Sequence, residues 1–312
     1  MTTTSRLGAD QAPAPPASYA PQILPATTTM SAVTLHAADL NRLAAYYREA
    51  LGLMDVATDN PSTGASRGEA GRIVLGSGNT RLVVLEHTPD LPLARPGQAG
   101  LFHTALLFPD RSSLAATVAR TARHPRSRFV GSADHLVSNA FYFTDPEGNG
   151  IELYWDRPRD TWAGPDGRLR MDTLPLDPNS FLTEHLDRAD FAPDAVADIG
   201  HVHLRVGDLA RAKEFYADVL GFEVTTGMPG ALFVSAGGYH HHLGLNTWQS
   251  AGAGPRAATI GLGQVAITVP DNDGLANLAD RLRRHRVAIR DDGRTLRFED
   301  PWNSLIEVSS SN

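Results

Sequence analysis

Apolar residues first alternate with polar ones and then recur at helical spacing in four stretches of the chain, and each stretch predicts the same elements. The clearest stretch begins with IGHVHLRV at 199–206, where apolar residues occupy every second position, as in a strand with one buried face. The apolar residues of LARAKEFYADVL at 209–220 follow the helical period, which predicts an amphipathic helix. Asp208 is suited to cap the start of this helix and Gly221 to end it.

This unit is repeated closely enough to predict the fold. After its helix, each copy continues with about three apolar stretches of strand character, so the unit has the order βαβββ. A single unit leaves a sheet edge and an apolar face uncovered, whereas two units side by side can curl into a cupped sheet. We therefore predict an α+β fold in which four βαβββ modules form two cupped-sheet, or open-barrel, domains.

The breaks between apolar stretches define the domain organisation. The modules are expected at 29–90, 100–156, 199–248 and 261–310. The first two modules form a predicted domain at 29–156, and the last two form a second domain at 199–312. A polar linker at 157–198 joins the domains, and residues 1–28, rich in Pro, Ala and Thr, are predicted to be a disordered tail.

Composition narrows the classes of function. The chain has 312 residues, a formal net charge of -7 and no basic cluster, so nucleic acid is not an expected partner. No apolar run is long enough to span a bilayer and the N-terminus lacks a secretory signal, so we expect a cytoplasmic protein without membrane contact. Cysteine is absent, which excludes thiolate ligands and a cysteine nucleophile. A metal site in this chain must therefore use His, Asp, Glu or Gln.

Motifs at matching places in the repeat carry a resemblance to a known family. They are FHTALLFPDR, DHLVSNAFYFTDPEGNGIELYWDRP, IGHVHLRVGDL and SAGGYHHHLGLNTW. With them the chain resembles, over nearly all of residues 30–310, the vicinal oxygen chelate superfamily of extradiol dioxygenases, glyoxalases and bleomycin-resistance proteins. It resembles in particular bacterial catechol 2,3-dioxygenases with four modules. The second motif follows the extradiol signature through His135, Tyr142, Asp145, Pro146, Gly148 and Glu152. Ala133 departs from the residue types that the family prefers there.

The resemblance implies an oxidoreductase, a metal-dependent extradiol dioxygenase. Such an enzyme opens a catechol, a small aromatic diol, beside its hydroxyls with O2 and forms a 2-hydroxymuconic semialdehyde, as in aromatic hydrocarbon catabolism. In this superfamily a module offers one ligand at the start of its first strand and another on its last strand. The second module then offers His103 and Glu152, and the third offers His201. Two histidines and a carboxylate are the ligand set of non-haem iron(II), so Fe²⁺ is the expected cofactor and Mn²⁺ the alternative metal.

The resemblance also assigns roles to three residues around this metal site. His241 corresponds to a second-sphere acid–base histidine, Tyr142 to a tyrosine that contacts bound substrate, and His135 to a histidine that hydrogen-bonds a substrate oxygen. Alternation along HHH at 240–242 lets one or two of these rings face the cup, and we choose His241 among them. His203 lies on the same strand face as a ligand and either supports the ligands or serves packing alone.

This ligand set requires that the second module share a cup with the third, and the first with the fourth. The usual arrangement pairs the first module with the second and the third with the fourth. Its site would be His201, Gln264 and Glu307, a glyoxalase-like mixture of ligands. We prefer the crossed pairing because the fourth module has Phe298 at the position of the accessory tyrosine and lacks a counterpart to the accessory His135.

Two other functions remain open from the sequence. A metal-dependent glyoxalase or other isomerase of the same superfamily would need a second ligating carboxylate facing the first, and residues 242–244 supply none. A bleomycin-resistance-like binding protein would have an apolar cup and no need of a metal triad. The sequence is also compatible with a homo-oligomer.

Overall fold

The computed structural model describes residues 23–57, 71–186 and 197–311, which form two mixed β-sheets with α-helices packed against them. The first 22 residues of the predicted tail lie outside the described residues. Near the end of that segment Leu24 is buried, and its backbone N–H donates to the carbonyl of Gly221. No helix within the described ranges is long and apolar enough to cross a lipid bilayer.

The first half of the chain contains two of the predicted modules and part of the linker. The first module consists of β1 (Thr29–Ala37), α1 (Leu40–Glu49), β2 (Met54–Asp55), β3 (Arg72–Ser77) and β4 (Thr80–His87). The second consists of β5 (Gly100–Phe108), α2 (Arg111–Arg123), β6 (Arg128–Asp134), β7 (Ser138–Thr144) and β8 (Gly150–Asp156). The linker contributes β9 (Leu174–Pro175) and α3 (Pro178–His185).

The second half repeats the same order of elements. The third module consists of β10 (Asp198–Arg205), α4 (Leu209–Lys213), a π-helical continuation (Glu214–Val219), β11 (Glu223–Met228), β12 (Ala231–Ser235) and β13 (Leu243–Asn246). The fourth consists of β14 (Gly261–Val269), α5 (Asn272–Arg284), β15 (Arg290–Asp291), β16 (Thr295–Glu299) and β17 (Leu305–Ser310). The predicted α+β fold of βαβββ modules is confirmed.

An aspartate begins the first helix of every module. Its side chain accepts the backbone N–H of the third residue after it, a group that the helix itself leaves unpaired. The aspartates that do so are Asp39, Asp110, Asp208 and Asp271. Gly52 and Gly221 follow the helices of the first and third modules with φ of 75° and 86°, the left-handed region that favours glycine. The predicted cap and stop of the third module's helix are thus confirmed.

Each sheet joins modules from opposite halves of the chain. The nine-stranded sheet has the order β11-β12-β13-β10-β5-β8-β7-β6-β9, and the eight-stranded sheet has the order β15-β16-β17-β14-β1-β4-β3-β2. The antiparallel pairs β5–β10 and β1–β14 form the seams between modules. The second and third modules therefore share one sheet, as we preferred from the sequence, and the alternative pairing is wrong. The division into domains at 29–156 and 199–312 stays a prediction, because both sheets cross it.

Buried tyrosine–aspartate hydrogen bonds join modules that are neighbours in sequence. Tyr47 on α1 donates to Asp145 Oδ2 just after β7 (3.2 Å), and Tyr216 donates to Asp300 Oδ2 just after β16 (2.8 Å). Burial raises the pKa of Asp145 to about 6 and also raises the pKa of Asp300. Each pair links an element packed on one sheet to a turn of the other, so these contacts hold the two sheets together.

The linker covers one edge of the nine-stranded sheet. β9 pairs with β6, and Phe181 on α3 packs against Phe141 with ring centroids 4.9 Å apart. Met171 and Thr173, between β8 and β9, line the cavity of this sheet. A segment predicted only as a connection thus forms part of the cavity wall.

Candidate metal centre

A row of residues across the nine-stranded sheet brings the candidate ligands together. His201 on β10 is opposite Ala105 on β5, and Ala105 is opposite Glu152 on β8. Residues paired across strands share a face, and His103 lies two residues before Ala105, so all three candidate ligands project to one side. Because Ala105 has only a methyl side chain, the space between His201 and Glu152 stays free.

The three candidate ligands form a compact and buried cluster. His103 Nε2 lies 2.9 Å from Glu152 Oε2, and His201 Nε2 lies 3.2 Å from the same oxygen. One ligand atom from each residue lies within 4.8 Å of the other two. The exposed fractions of His103, Glu152 and His201 are 5%, 2% and 2%, so water does not solvate the carboxylate.

The electrostatics of the cluster favour an ionised Glu152 and an unprotonated His201 ring. Burial alone would raise the pKa of Glu152, but His201 and His103 beside it hold that pKa well below its usual range. Burial lowers the pKa of His201, and Glu152 opposes this shift only in part. Metal ligands must be deprotonated, so these protonation states are the ones that a bound cation requires.

An unpaired polar atom supports the fit of the cluster to a metal ion. His103 Nε2 is fully buried and forms no hydrogen bond within the described residues, although it approaches Glu152 closely. A buried carboxylate without a partner costs several kcal/mol. No lysine or arginine among the described residues forms an ion pair with Glu152. A divalent cation held by the three residues would satisfy the ring nitrogens and the carboxylate together.

His241 lies beside this cluster, in the segment between β12 and β13. The sequence placed it on the last strand of the module, but that strand begins only at Leu243. The His241 ring lies 4.1 Å from the ring of His201, centroid to centroid, and lines the same cavity. The neighbouring rings turn elsewhere: His240 bonds to Asp156, and His242 Nδ1 accepts the N–H of Ala236. One of the three histidines therefore faces the cavity.

Tyr142 and His135 are hydrogen-bonded to each other at the cavity wall. The Tyr142 hydroxyl lies 2.7 Å from His135 Nε2, and His135 Nδ1 lies 2.7 Å from the carbonyl oxygen of Asp172. A carbonyl can only accept, so His135 donates through Nδ1, and a ring with one proton accepts a hydrogen bond from the Tyr142 hydroxyl at Nε2. Leu136, at φ 68°, forms the tight β6–β7 hairpin that aims His135 inward. Burial and the adjacent Glu152 raise the pKa of Tyr142 well above its usual value.

The candidate ligands line a cavity of about 630 Å³ whose other walls are largely apolar. Its large apolar side chains are Phe102, Val130, Val137, Phe143, Ile151, Met171, Met228, Phe233 and Trp248. Val130 and Trp248 are 61% and 48% exposed, so they lie at the mouth. The sequence analysis missed these residues because their apolar character is that of any core residue. Only the pairing of the sheet reveals that they surround a cavity.

Gly244 on β13 occupies the position in the third module that Glu152 occupies in the second. Glu152 is paired with the residue two places after His103, and Gly244 is paired with His203, two places after His201. A Cβ atom at Gly244 would lie 2.8 Å from the His203 ring. The ring of His203 therefore fills the place where a second ligating carboxylate would project.

The eight-stranded sheet forms a second cup of about 450 Å³, in which Ala32, Gln264 and Glu307 occupy the ligand positions. The Arg297 Nε lies 2.7 Å from Glu307 Oε2 and neutralises it. Arg297 pairs with Glu307 as Tyr142 pairs with Glu152, so Arg297, and not Phe298, is the counterpart of the accessory tyrosine. The alternative site of His201, Gln264 and Glu307 is wrong, because His201 belongs to the other sheet.

Paired βαβββ modules with a buried His–Glu–His cluster in one cup are the arrangement of a class of proteins with a candidate metal site in a cupped sheet. The chain belongs to the Glyoxalase/Bleomycin resistance protein/Dioxygenase superfamily, whose model matches residues 198–308, while a Glyoxalase-like domain model matches residues 32–154. It is 40% identical over 229 residues to the catechol-2,3-dioxygenase of Bacillus subtilis (strain 168). That alignment covers 72% of this chain and 80% of the relative. The resemblance found in the sequence is confirmed.

Solved structures support the fold at low sequence identity. A protein from Bacillus subtilis subsp. subtilis str. 168 superposes with a TM-score of 0.58 at 14% identity, covering 90% of this chain and 84% of that one. Glyoxalase I from Zea mays superposes with a TM-score of 0.53 at 18% identity, covering 91% of this chain and 92% of that one. At these identities the likeness concerns the arrangement of modules alone.

Proposed function

We propose that the protein is an extradiol ring-cleaving dioxygenase that acts on a catechol with an apolar substituent and on O2. The buried His103–Glu152–His201 cluster facing an apolar cavity is the observation that carries this proposal. These residues would hold iron(II), with manganese(II) as the alternative metal. When bound, the metal supplies adjacent open coordination positions that bring catechol and O2 together. The 40% identity to a catechol-2,3-dioxygenase supports the same activity.

The residues around the cluster are placed to handle protons of the substrate. Burial holds the pKa of His241 well below its usual value, so its ring is neutral near pH 7 and can accept a proton. With one proton on the His135 ring, Tyr142 donates a hydrogen bond to His135, and its hydroxyl oxygen can accept a hydrogen bond from a substrate hydroxyl. In this proposal His241 takes a catechol proton, while Tyr142 and His135 orient the oxygen that loses it.

The walls of the cavity define the class of catechol. The apolar side chains continue from the cluster to Val130 and Trp248 at the mouth, so a substituent on the ring would replace water along this surface. Arg205 and Arg128 also line the cavity, and Arg205 donates two of its five N–H groups to the carbonyl of Leu101. Because apolar side chains form most of the wall, we propose an alkyl or aryl substituent.

Gly244 argues against the competing isomerase. A glyoxalase-type site would need a second carboxylate opposite Glu152, and the His203 ring fills that position. A metal-free binding protein would not need the buried Glu152, whose unpaired charge weakens apolar binding. The dioxygenase is therefore the function that the geometry supports best.

The test is to load the protein anaerobically with iron(II) and then add a catechol and air. We expect uptake of about one O2 per catechol and a yellow ring-opened product, because ring opening incorporates both oxygen atoms. The variants His103→Ala, Glu152→Ala and His201→Ala should lose the metal, while Gln264→Ala and Glu307→Ala should keep it. Metal-loaded protein that consumes no O2 with simple and alkylated catechols would favour an isomerase. Tight aromatic binding without metal would favour the binding protein.

A further inference from the structure

A continuous series of hydrogen bonds, buried between His241 and His240 and part-buried beyond them, runs from His241 away from the cavity. His241 Nδ1 lies 2.7 Å from His240 Nδ1, and His240 Nε2 lies 2.8 Å from Asp156 Oδ1. Asp156 Oδ2 accepts the hydroxyl of Tyr239 at 2.7 Å, and the hydroxyl of Tyr154 lies 2.8 Å from that of Tyr239. His240 is 1% exposed and Tyr154 is fully buried, so little water competes for these contacts.

The carboxylate of Asp156, between His240 and Tyr239, fixes the direction of these hydrogen bonds when each histidine ring carries one proton. An ionised carboxylate can only accept, so a His240 ring with one proton donates through Nε2 and leaves Nδ1 as an acceptor. His241 must then carry its own proton on Nδ1 and donate it to His240. The Nε2 of His241, which forms no hydrogen bond with the described residues, is left with a lone pair in a ring that lines the cavity.

We propose that Asp156 and His240 are positioning residues that hold His241 in the tautomer whose unprotonated Nε2 faces the substrate. This inference rests on the proposed function, because it assigns His241 a base to be positioned. The opposite tautomer would present an N–H to a catechol hydroxyl and could not accept its proton. When His241 takes a proton, the O–H bond of the substrate breaks and an Nε2–H bond forms. The Asp156 carboxylate, which accepts from His240, stabilises the positive charge through that ring, as the aspartate of a catalytic triad does.

The neighbours of the His241 ring show why the hydrogen bonds through His240 and Asp156 are needed to select its tautomer. The His241 ring packs against His201 and Phe233, with centroids 4.1 Å and 4.9 Å away, and neither contact distinguishes its two nitrogens. The bond to His240 is the interaction on this ring that depends on where the proton sits. Hydrogen bonds in a buried chain also polarise one another, which strengthens the preference.

The test compares three variants of the full-length chain. His240→Phe removes the acceptor but keeps an aromatic ring. His240→Gln restores a carbonyl acceptor and an amide donor on one side chain. Tyr239→Phe removes a different donor to Asp156 and leaves the His240–His241 bond intact, so it is the matched control.

The first readout needs no activity. Ring ¹⁵N shifts of the metal-free, ¹⁵N-histidine-labelled chain should show His241 protonated on Nδ1 in the wild type, in Tyr239→Phe and in His240→Gln. His240→Phe should shift His241 toward the Nε2-protonated form. A wild-type His241 protonated on Nε2 would overturn the proposal.

The second readout is turnover of the iron-loaded variants. The kcat of His240→Phe should fall about 100-fold, the low end of acid–base effects, with KM and iron content unchanged. His240→Gln should recover most of that loss, and Tyr239→Phe should stay within about twofold of the wild type. Wild-type kcat in His240→Phe would also overturn the proposal. If the wild type consumes no O2 but its His241 is protonated on Nδ1 as expected, the proposed function is wrong. The inference that Asp156 and His240 position His241 is then still supported.

Discussion

Small residues decide which side chains can reach the candidate metal centre. Ala105 separates His201 from Glu152 in their row across the sheet, and any larger side chain would project between the two. At Gly244 the ring of His203 lies where a Cβ atom would be, so that position accepts only glycine while the histidine is present. The identity of two residues without functional groups therefore sets the number and placement of the ligands.

The close contact at Gly244 leads to a prediction about stability. Gly244→Ala should lower the free energy of unfolding by about 1–3 kcal/mol, the usual cost of overpacking a core. In a protein that already carries His203→Ala, Gly244→Ala should lower the free energy of unfolding much less, because the ring that the new methyl would meet is absent. Urea unfolding of both single variants and the double variant measures this coupling.

Gly131→Ala is the control for this comparison of the two single variants with the double variant. Gly131 also lies in a strand of the nine-stranded sheet, and a Cβ atom there would meet nothing within 4 Å. Its stability should stay close to that of the wild type. Equal losses at the two positions, or additive effects of Gly244→Ala and His203→Ala, would contradict the steric explanation.

The segment between β12 and β13 turns three consecutive histidines to three different surroundings. His240 faces Asp156, His241 faces the cavity, and His242 faces the backbone of Ala236. A regular strand would have placed His240 and His242 on the same side. The departure from regular β-structure is therefore what separates the His240 ring, beside Asp156, from the His241 ring, which lines the cavity.

His242 should make the metal-free protein less stable in acid. Burial lowers the pKa of His242 to about 4, and the Ala236 N–H aimed at its Nδ1 also opposes a proton there. In the unfolded chain histidine has a pKa of about 6.5, so only that state binds a proton as the pH falls from 6.5 to 4. The stabilisation is complete above pH 6.5 and about 3 kcal/mol of it is lost by pH 4.

His242→Asn tests this because its carbonyl oxygen can accept the Ala236 N–H but cannot titrate. Unfolding with urea at pH 7 and pH 4, with a chelator present, should show a smaller acid loss in this variant than in the wild type. His285→Asn, at an exposed histidine, should behave as the wild type does. An unchanged acid loss in His242→Asn would show that other groups cause it.

Periodicity predicted the elements well but could not set the register between them. The strand–helix pattern identified the modules, because it depends on local spacing alone, and the resemblance to the superfamily then pointed to His103 and His201 near the starts of first strands. Phe298 was matched to the accessory tyrosine where the ladder gives Arg297, a shift of one residue that moves a side chain to the opposite face. The Asp156–His240–His241 chain also escaped prediction, because it depends on a bend outside the strand.

On the scale of the whole molecule, one fold forms two cups with different chemistry. The nine-stranded sheet leaves Glu152 between two histidines, whereas the eight-stranded sheet pairs Glu307 with the guanidinium of Arg297. In the second cup the guanidinium of Arg297 therefore supplies the positive charge beside Glu307. The difference between the cups is carried by side chains, since the strand order around both seams is the same.

A second metal site should therefore be obtainable by substitution. Ala32→His, Gln264→His and Arg297→Tyr together place the ligand set and accessory tyrosine of the first cup into the second. The triple variant should bind about two iron(II) or manganese(II) ions per chain instead of about one, because the new cluster completes a facial set. The two histidine substitutions with Arg297 retained should still bind about one. A triple variant with unchanged metal content would show that the second cup differs in more than these side chains.

The crossed pairing of the sheets has a consequence for synthesis on the ribosome. Thr29 in β1 pairs with Thr268 in β14, so β1 leaves the ribosome about 240 residues before its antiparallel neighbour. At about 5–20 residues per second, its open edge waits for roughly 10–50 s. An exposed strand edge is a template for aggregation, so the nascent chain needs protection during that interval. A premature stop before β14 completes every strand of the nine-stranded sheet but leaves the eight-stranded sheet without β14–β17, so the open edge of β1 is expected to persist in the shortened product.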